Sequence, residues 1–201
     1  MSELSVSAIR QALTIKPRLI QPPGPDRPLA CVAMVLAGPS GHPSVCLIQR
    51  AERPGDPWSG HMAFPGGRAD PTDATAQAVA EREAAEEVGL RLEPAHLIAP
   101  LIEMPVRAGG KDLPMKLAAF VYGLNGVPPR LIPQSEEVAQ ALWVPLHRLY
   151  DPAHRTRYTF RRAGTDMEFP ALGIDGLIVW GLTYRVLAEL GDRVGRPLPA
   201  E

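Results

Sequence analysis

The stretch GGRADPTDATAQAVAEREAAEEVGL, Gly66 to Leu90, opens as a glycine turn and closes as a helix. Ala74 to Val88 contains no Gly or Pro and is dominated by Ala, so a helix is predicted there. Asp73 or Thr72 stands where a side chain can cap the first turn, and Gly89 stands where a left-handed residue ends a helix. The last turns carry Glu81, Glu83, Glu86 and Glu87, although a helix C-terminus favours cations. Residues three and four apart share a face, so Glu83, Glu86 and Glu87 can converge, whereas Glu81 falls off that face into solvent. Carboxylates that close resist ionisation unless a cation sits among them. Oxygen-only clusters of this kind suit Mg²⁺ or Mn²⁺. Arg82, four residues before Glu86, can pair with it and hold it in place. The competing reading is a solvated acidic face paired with scattered Arg. Two features weigh against that reading. Ala78, Ala80, Ala84 and Ala85 let the helix pack closely on a sheet, and the preceding FPGGR turn (64–68) can bring a backbone carbonyl near a ligand.

Outward from the helix the chain alternates apolar runs with turns. Residues 1–16 have the spacing of a short amphipathic helix, and QPPGPDRP (21–28) is a stiff connector. LACVAMVLAG (29–38) and SVCLIQRAE (44–52) are predicted strands around the GPSGHP turn (38–43), resembling a hairpin. RPGDPWSG (53–60) is a loop and HMAFPGG (61–67) a short strand. After the helix, 96–106 and 113–124 are predicted strands around a polar turn at 107–112. Residues 141–149 form a strand or turn leading to a short helix, and 178–194 an amphipathic helix. The segment 151–176 is irregular and basic, a loop with a small hairpin. Trp143 and Trp180 are expected in the core. The expected fold class is α+β, helices covering a mixed sheet. The domain layout is an N-terminal helix and connector (1–28), one domain (29–195) and a tail (196–201).

Composition narrows the partners. The 201 residues are 45% hydrophobic and 21% charged, with a formal net charge of −1, which gives no drive toward nucleic acid or an acidic membrane. Cys31 and Cys46 sit in apolar runs without a CxxC spacing and read as buried free thiols. The N-terminus has no continuous apolar core and no cleavage site, so it does not read as a signal peptide, and no run approaches a membrane span. The expected setting is cytoplasmic, with neither nucleic acid nor membrane as partner, in a monomer or homodimer.

REAAEEVGL (82–90) resembles the second half of the Nudix box, in which Arg-Glu is followed by an apolar residue, any residue, Glu-Glu, any residue, Gly and an aliphatic residue. The first half departs: the sixth position after Gly67 is Asp73 where the family has Glu, and eight residues separate Asp73 from Arg82 where the family has seven. This extra residue, FPGG (64–67) ahead of the box, EEVAQALWVPLHRL (136–149) and VWGLTYRVL (179–187) look like the coenzyme A pyrophosphatase branch. In that branch's upstream motif Arg50 and Gly60 match, but Ala51, Trp58 and His61 stand where Ser, His and Gln are expected. The resemblance covers roughly residues 29–190. It implies a Nudix-type α/β/α sandwich and an Mg²⁺-dependent hydrolase, with Mn²⁺ as substitute, that cleaves the diphosphate of coenzyme A or an acyl-CoA. The alternatives are ADP-ribose, a dinucleoside polyphosphate or a nucleoside triphosphate as substrate, or a non-catalytic ligand-binding module.

The resemblance also implies roles. Glu83 and Glu87 are principal metal ligands, Glu86 is shared between metal and water, the Gly66/Gly67 carbonyl region completes the shell, and Arg82 orients the ligands. A general base comes from the box or from Glu136 or Glu137 in QSEEV, which can equally cap a turn; Glu103 is a lesser candidate. Trp58 stacks on a base or packs in its proline-rich loop. His61 meets phosphate or makes a strand-end hydrogen bond. Arg50 meets phosphate or is an edge charge. Arg155, Arg157, Arg161 and Arg162 meet an anionic substrate or are solvated.

Overall fold

The computed structural model describes residues 4–15, 17–24, 26–39, 41–54, 58–108, 111–162 and 165–198. Helix α1 (Val6–Ile15) buries Ile9 and Leu13, as its apolar spacing predicts. Strand β1 (Leu29–Ala37) is almost wholly buried, the signature of a central strand covered on both faces. It is followed by β2 (Ser44–Arg50), β3 (Met62–Ala63), β4 (Gly66–Arg68) and helix α2 (Ala76–Val88). Strands β5 (Leu97–Ala108), β6 (Lys111–Gly123) and β7 (Val138–Pro145) complete the first sheet. β1 runs parallel to β6 from Leu29↔Lys116 to Leu36↔Gly123 and antiparallel to β2 and β4, so the sheet is mixed. β5 and β6 form the long hairpin expected around 107–112; its tip, Gly109 and Gly110, lies outside the described residues, as do the last residues of the tail (199–201).

Alternation along β1 sorts its side chains into two layers. Ala30, Met34 and Leu36 join a core with α1 and the C-terminal helix, while Cys31, Ala33 and Val35 join one with Val79, Ala80, Ala84 and Val88 of α2. The small alanine side chains let α2 lie close on the sheet. Cys31 and Cys46 are buried free thiols in this second layer. Burial pushes the Cys31 thiol up to about 12 and raises Cys46 as well. A thiolate is the reactive form, so a disulfide-exchange reagent is expected to find no thiol in the native protein and both after unfolding in denaturant. Rapid labelling of the native chain would contradict this packing.

The reading of 151–176 as an irregular loop with a small hairpin is corrected in its first part: the hairpin is present, within a larger sheet. After the short helix α3 (Leu146–Leu149), β8 (Arg155–Arg162), β9 (Thr165–Ile174) and β10 (Leu177–Trp180) form a three-stranded antiparallel sheet. The basic residues disguised an alternation in which Tyr158 and Phe160 face one way and Arg157 and Arg161 the other. Those arginines pair across the strands, Arg157 with Glu168 at 2.8 Å and Arg161 with Asp166 at 2.7 Å. Such exposed pairs are worth little individually but agree with the strand register. The turn into β10 uses two left-handed residues, Asp175 (φ 50°) and Gly176 (φ 82°), the geometry of a two-residue hairpin. Residues 178–180, predicted helical, are therefore strand, and the last helix is α4 (Gly181–Arg193). No helix among the described residues is long and apolar enough to cross a membrane.

Candidate active site

The glycine turn comes first. Gly66 and Gly67 of β4 pair with Val32 and Cys31 of β1. A Cβ on Gly66 would stand 2.7 Å from the Val32 Cα, and one on Gly67 would stand 2.5 Å from the Glu83 carboxyl carbon. The absence of side chains is thus what lets the turn touch the sheet on one side and the helix carboxylate on the other.

Helix α2 starts at Ala76, two residues later than predicted. The cap is Thr75, not Asp73 or Thr72: its hydroxyl accepts the Ala78 N–H at 3.0 Å. Thr72 instead donates its hydroxyl to Asp70 at 2.7 Å. Gly89 ends the helix at φ 73°, as expected. Asp73 is free for another task. Its carboxylate, 5% exposed, takes both Nε and Nη2 of Arg82 at 3.1 and 3.0 Å, and this fork holds it below the ordinary carboxylate range. Arg82 also donates Nη1 to Glu83 and Glu86, each at 2.9 Å, and Nη2 to the Arg68 carbonyl at 3.1 Å. One guanidinium, anchored on Asp73, therefore ties the helix to the turn and positions two carboxylates.

Glu87 is 4% exposed and accepts the Gly66 N–H at 2.8 Å. Burial is the main cause that pushes its carboxyl up to about 8; the Gly66 N–H and Arg50 oppose the shift, and Glu83 adds to it. Glu83 is also raised, first by burial and then by repulsion from Glu86 and Glu137, against the pull of Arg82. Glu86 is 57% exposed on the Arg82 side. Among the described residues no group of three or more His, Cys, Asp or Glu side chains has metal-site spacing. Arg82 lies between Glu83 and Glu86, and Glu87 turns to Gly66. Glu81 is half-buried, not solvated, and accepts from Gln77 at 2.7 Å and Tyr122 at 3.4 Å.

Gly66, Gly67 and Glu83 form part of the wall of a cleft of about 550 Å³. Arg50, Trp58, His61 and Glu137 line it too. Glu137 pairs with Arg53 at 2.9 Å; Glu136 is exposed and is not among the lining residues. Glu103 is held by Arg27 and by Lys116 at 2.9 Å; burial pushes its carboxyl up, but these bonds outweigh it and the net shift is down. The His61 carbonyl takes the Arg50 N–H at 3.0 Å, the strand-end bond, while its ring meets Trp180 edge-on at 4.8 Å. Trp180 is not core. It lines the cleft, half-buried, and stacks on Tyr158 with centroids 4.2 Å apart. Trp143 is half-buried against the α2 layer and donates to the Pro129 carbonyl at 2.8 Å. Arg155, Arg157 and Arg161 are not among the cleft residues; the Arg162 side chain lies outside the described residues. Arg68, Met115 and Leu182 also line the cleft and were missed. Only strand alternation would have pointed to Met115, which shares a face of β6 with Leu117.

A mixed sheet between helices, with a glycine turn pressed against a carboxylate-bearing helix at the wall of a cleft, defines a Nudix-type α/β/α sandwich. The NUDIX domain family matches residues 27–163, more than half of the chain, which belongs to that family. Over 155 residues it is 28% identical to the Nudix hydrolase NudL of Yersinia pestis, covering 76% of this chain and 73% of that one. An uncharacterized protein of Schizosaccharomyces pombe is 42% identical over 118 residues; the match takes in 57% of this chain but only 36% of that longer protein. The fold is similar to that of a MutT/nudix family protein from Enterococcus faecalis, with a TM-score of 0.54 at 16% identity over 95% of this chain and 70% of that one.

Proposed function

We propose that the chain is a divalent-cation-dependent hydrolase that cleaves the diphosphate of a nucleoside diphosphate derivative, with coenzyme A or an acyl-CoA foremost. The observation that carries this reading is the cradle itself: Glu83 against Gly67 and Glu87 on the Gly66 amide, beside a cleft of about 550 Å³. The donor set fits Mg²⁺ or Mn²⁺, since it is all oxygen. Both carboxyls are raised by burial and repulsion, the condition that a nearby divalent charge reverses. Glu83, Glu87 and a carbonyl of the glycine turn would hold the ion, with Glu86 joining when it leaves Arg82. Once bound, it supplies charge neutralisation at the phosphate oxygens and a more acidic water.

The chain's own residues do the positioning. Arg82, locked on Asp73, keeps Glu83 aimed past Gly67. Arg50 offers a planar donor fork to phosphate oxygens. Glu137, on the cleft wall and half-exposed, is the carboxylate proposed to take the proton of the attacking water, in preference to Glu136. Residues 29–195 act as one domain. A panel of coenzyme A, ADP-ribose, NADH, diadenosine polyphosphates and nucleoside triphosphates with Mg²⁺ or Mn²⁺ tests the reading. Cation-dependent cleavage, fastest on coenzyme A or its thioesters, is expected. Preference for another member moves the substrate to that class, and no turnover of any overturns hydrolysis in favour of a ligand-binding module.

A further inference from the structure

The cleft has two unlike walls. One is charged, with Arg50, Glu83 and Glu137 beside the glycine turn. The other is apolar: Met115 on β6 and Leu182 on α4, both half-buried, lie over the buried Met62, Phe64, Val106, Leu117 and Val186 of the α1/α4 core layer. Thr183 is a buried polar side chain of this wall, and it gives its hydroxyl proton to the Met62 carbonyl at 2.9 Å. A wall that reads a nucleobase keeps donors and acceptors for the ring edge. Here the hydroxyl is committed internally and the surface offered is hydrocarbon.

We infer that this wall seats a hydrocarbon arm of the substrate, an alkyl, prenyl or acyl chain, and that Leu182 and Met115, both half-buried, set the preference for it. The inference rests on the diphosphate-hydrolase reading of the same cleft. Trp58 and Trp180 line the cleft and report occupancy by fluorescence. Two series are titrated with chelator present: alkyl diphosphates from butyl to decyl, and acyl thioesters of coenzyme A from acetyl to decanoyl. Kd is expected to fall roughly fourfold per methylene, the ~0.8 kcal/mol of burying one, until the wall is covered. The series that responds says whether the chain hangs on the phosphate or at the far end of a nucleotide. Leu182→Ser and Met115→Ser are expected to flatten that dependence. Because uniform binding acts on KM and not on kcat, turnover with Mg²⁺ should show the chain length in KM alone. A Kd independent of chain length in both series overturns the inference even if hydrolysis is found. A clear dependence without any turnover sinks the hydrolase reading and leaves the wall assignment standing.

Discussion

Glu87→Gln is expected to lower cation-dependent turnover at least about a hundredfold, corresponding to ~3 kcal/mol of lost transition-state stabilisation. The same substitution should leave the fold intact. Gln keeps an acceptor for the Gly66 N–H, so the turn stays tied to α2. Gln also cannot ionise, whereas Glu87, raised to about 8 by burial, becomes a buried anion repelled by Glu83 once the pH passes that value. Measured in chelator, the variant should therefore melt no lower than the parent chain. This pairing of lost activity with retained or improved stability separates a functional carboxylate from a structural one: a merely structural Glu87 would give the reverse. Full cation-dependent turnover by the variant would remove Glu87 from the metal site. Arg82→Lys should act in the same direction with a smaller effect, about ten- to a hundredfold. An ammonium cannot reproduce the fork on Asp73 while also reaching Glu83 and Glu86.

The position of Glu87 was legible in the sequence; its partner was not. Helical spacing puts Glu83 and Glu87 on one face, and the alanines between them explain why α2 can approach the sheet. The spacing also let Arg82 pair with Glu86, but it does not say that Arg82 reaches Glu83 as well, because that depends on where the loop brings Asp73. Asp73 looked like a cap and a family departure. In the fold it is the anchor of Arg82, and Thr75 does the capping. The buried run of β1 and the glycine stop of α2 were readable because each is a local property. The β8–β10 sheet was hidden because arginines occupy its solvent-facing positions and mimic a basic loop. Trp180 was misplaced for a related reason. An aromatic residue at a strand end is core or cleft according to what packs across it, here His61 on one side and Tyr158 on the other. Such long-range facts are absent from any window of sequence.

The two neighbouring glycines should separate the fold from the site. A methyl on Gly66 meets the Val32 Cα at 2.7 Å, backbone of the central strand, held by pairing with β6 along its length. That strand cannot give without displacing the sheet, so Gly66→Ala is an overpacking substitution against backbone. A loss of about 3 kcal/mol is expected, lowering the thermal midpoint by roughly 6–12 °C in a chain of this size. A methyl on Gly67 instead meets the Glu83 carboxyl group, 2.5 Å from its carbon, the mobile end of a long side chain. That side chain can swing aside at little cost, so Gly67→Ala should melt within a few degrees of the parent. Swinging aside takes Glu83 off the cleft wall, and cation-dependent turnover should then fall about a hundredfold. Differential scanning calorimetry with parallel kinetics decides the matter. If Gly67→Ala unfolds as readily as Gly66→Ala, the turn is a structural unit, and its contact with Glu83 says nothing about the site. If Gly67→Ala keeps both stability and turnover, Glu83 works from another position, and the cradle is not the catalytic feature. Loss of stability at Gly66 alone and of turnover at Gly67 alone would mean that one strand of three residues serves the sheet with one glycine and the chemistry with the next.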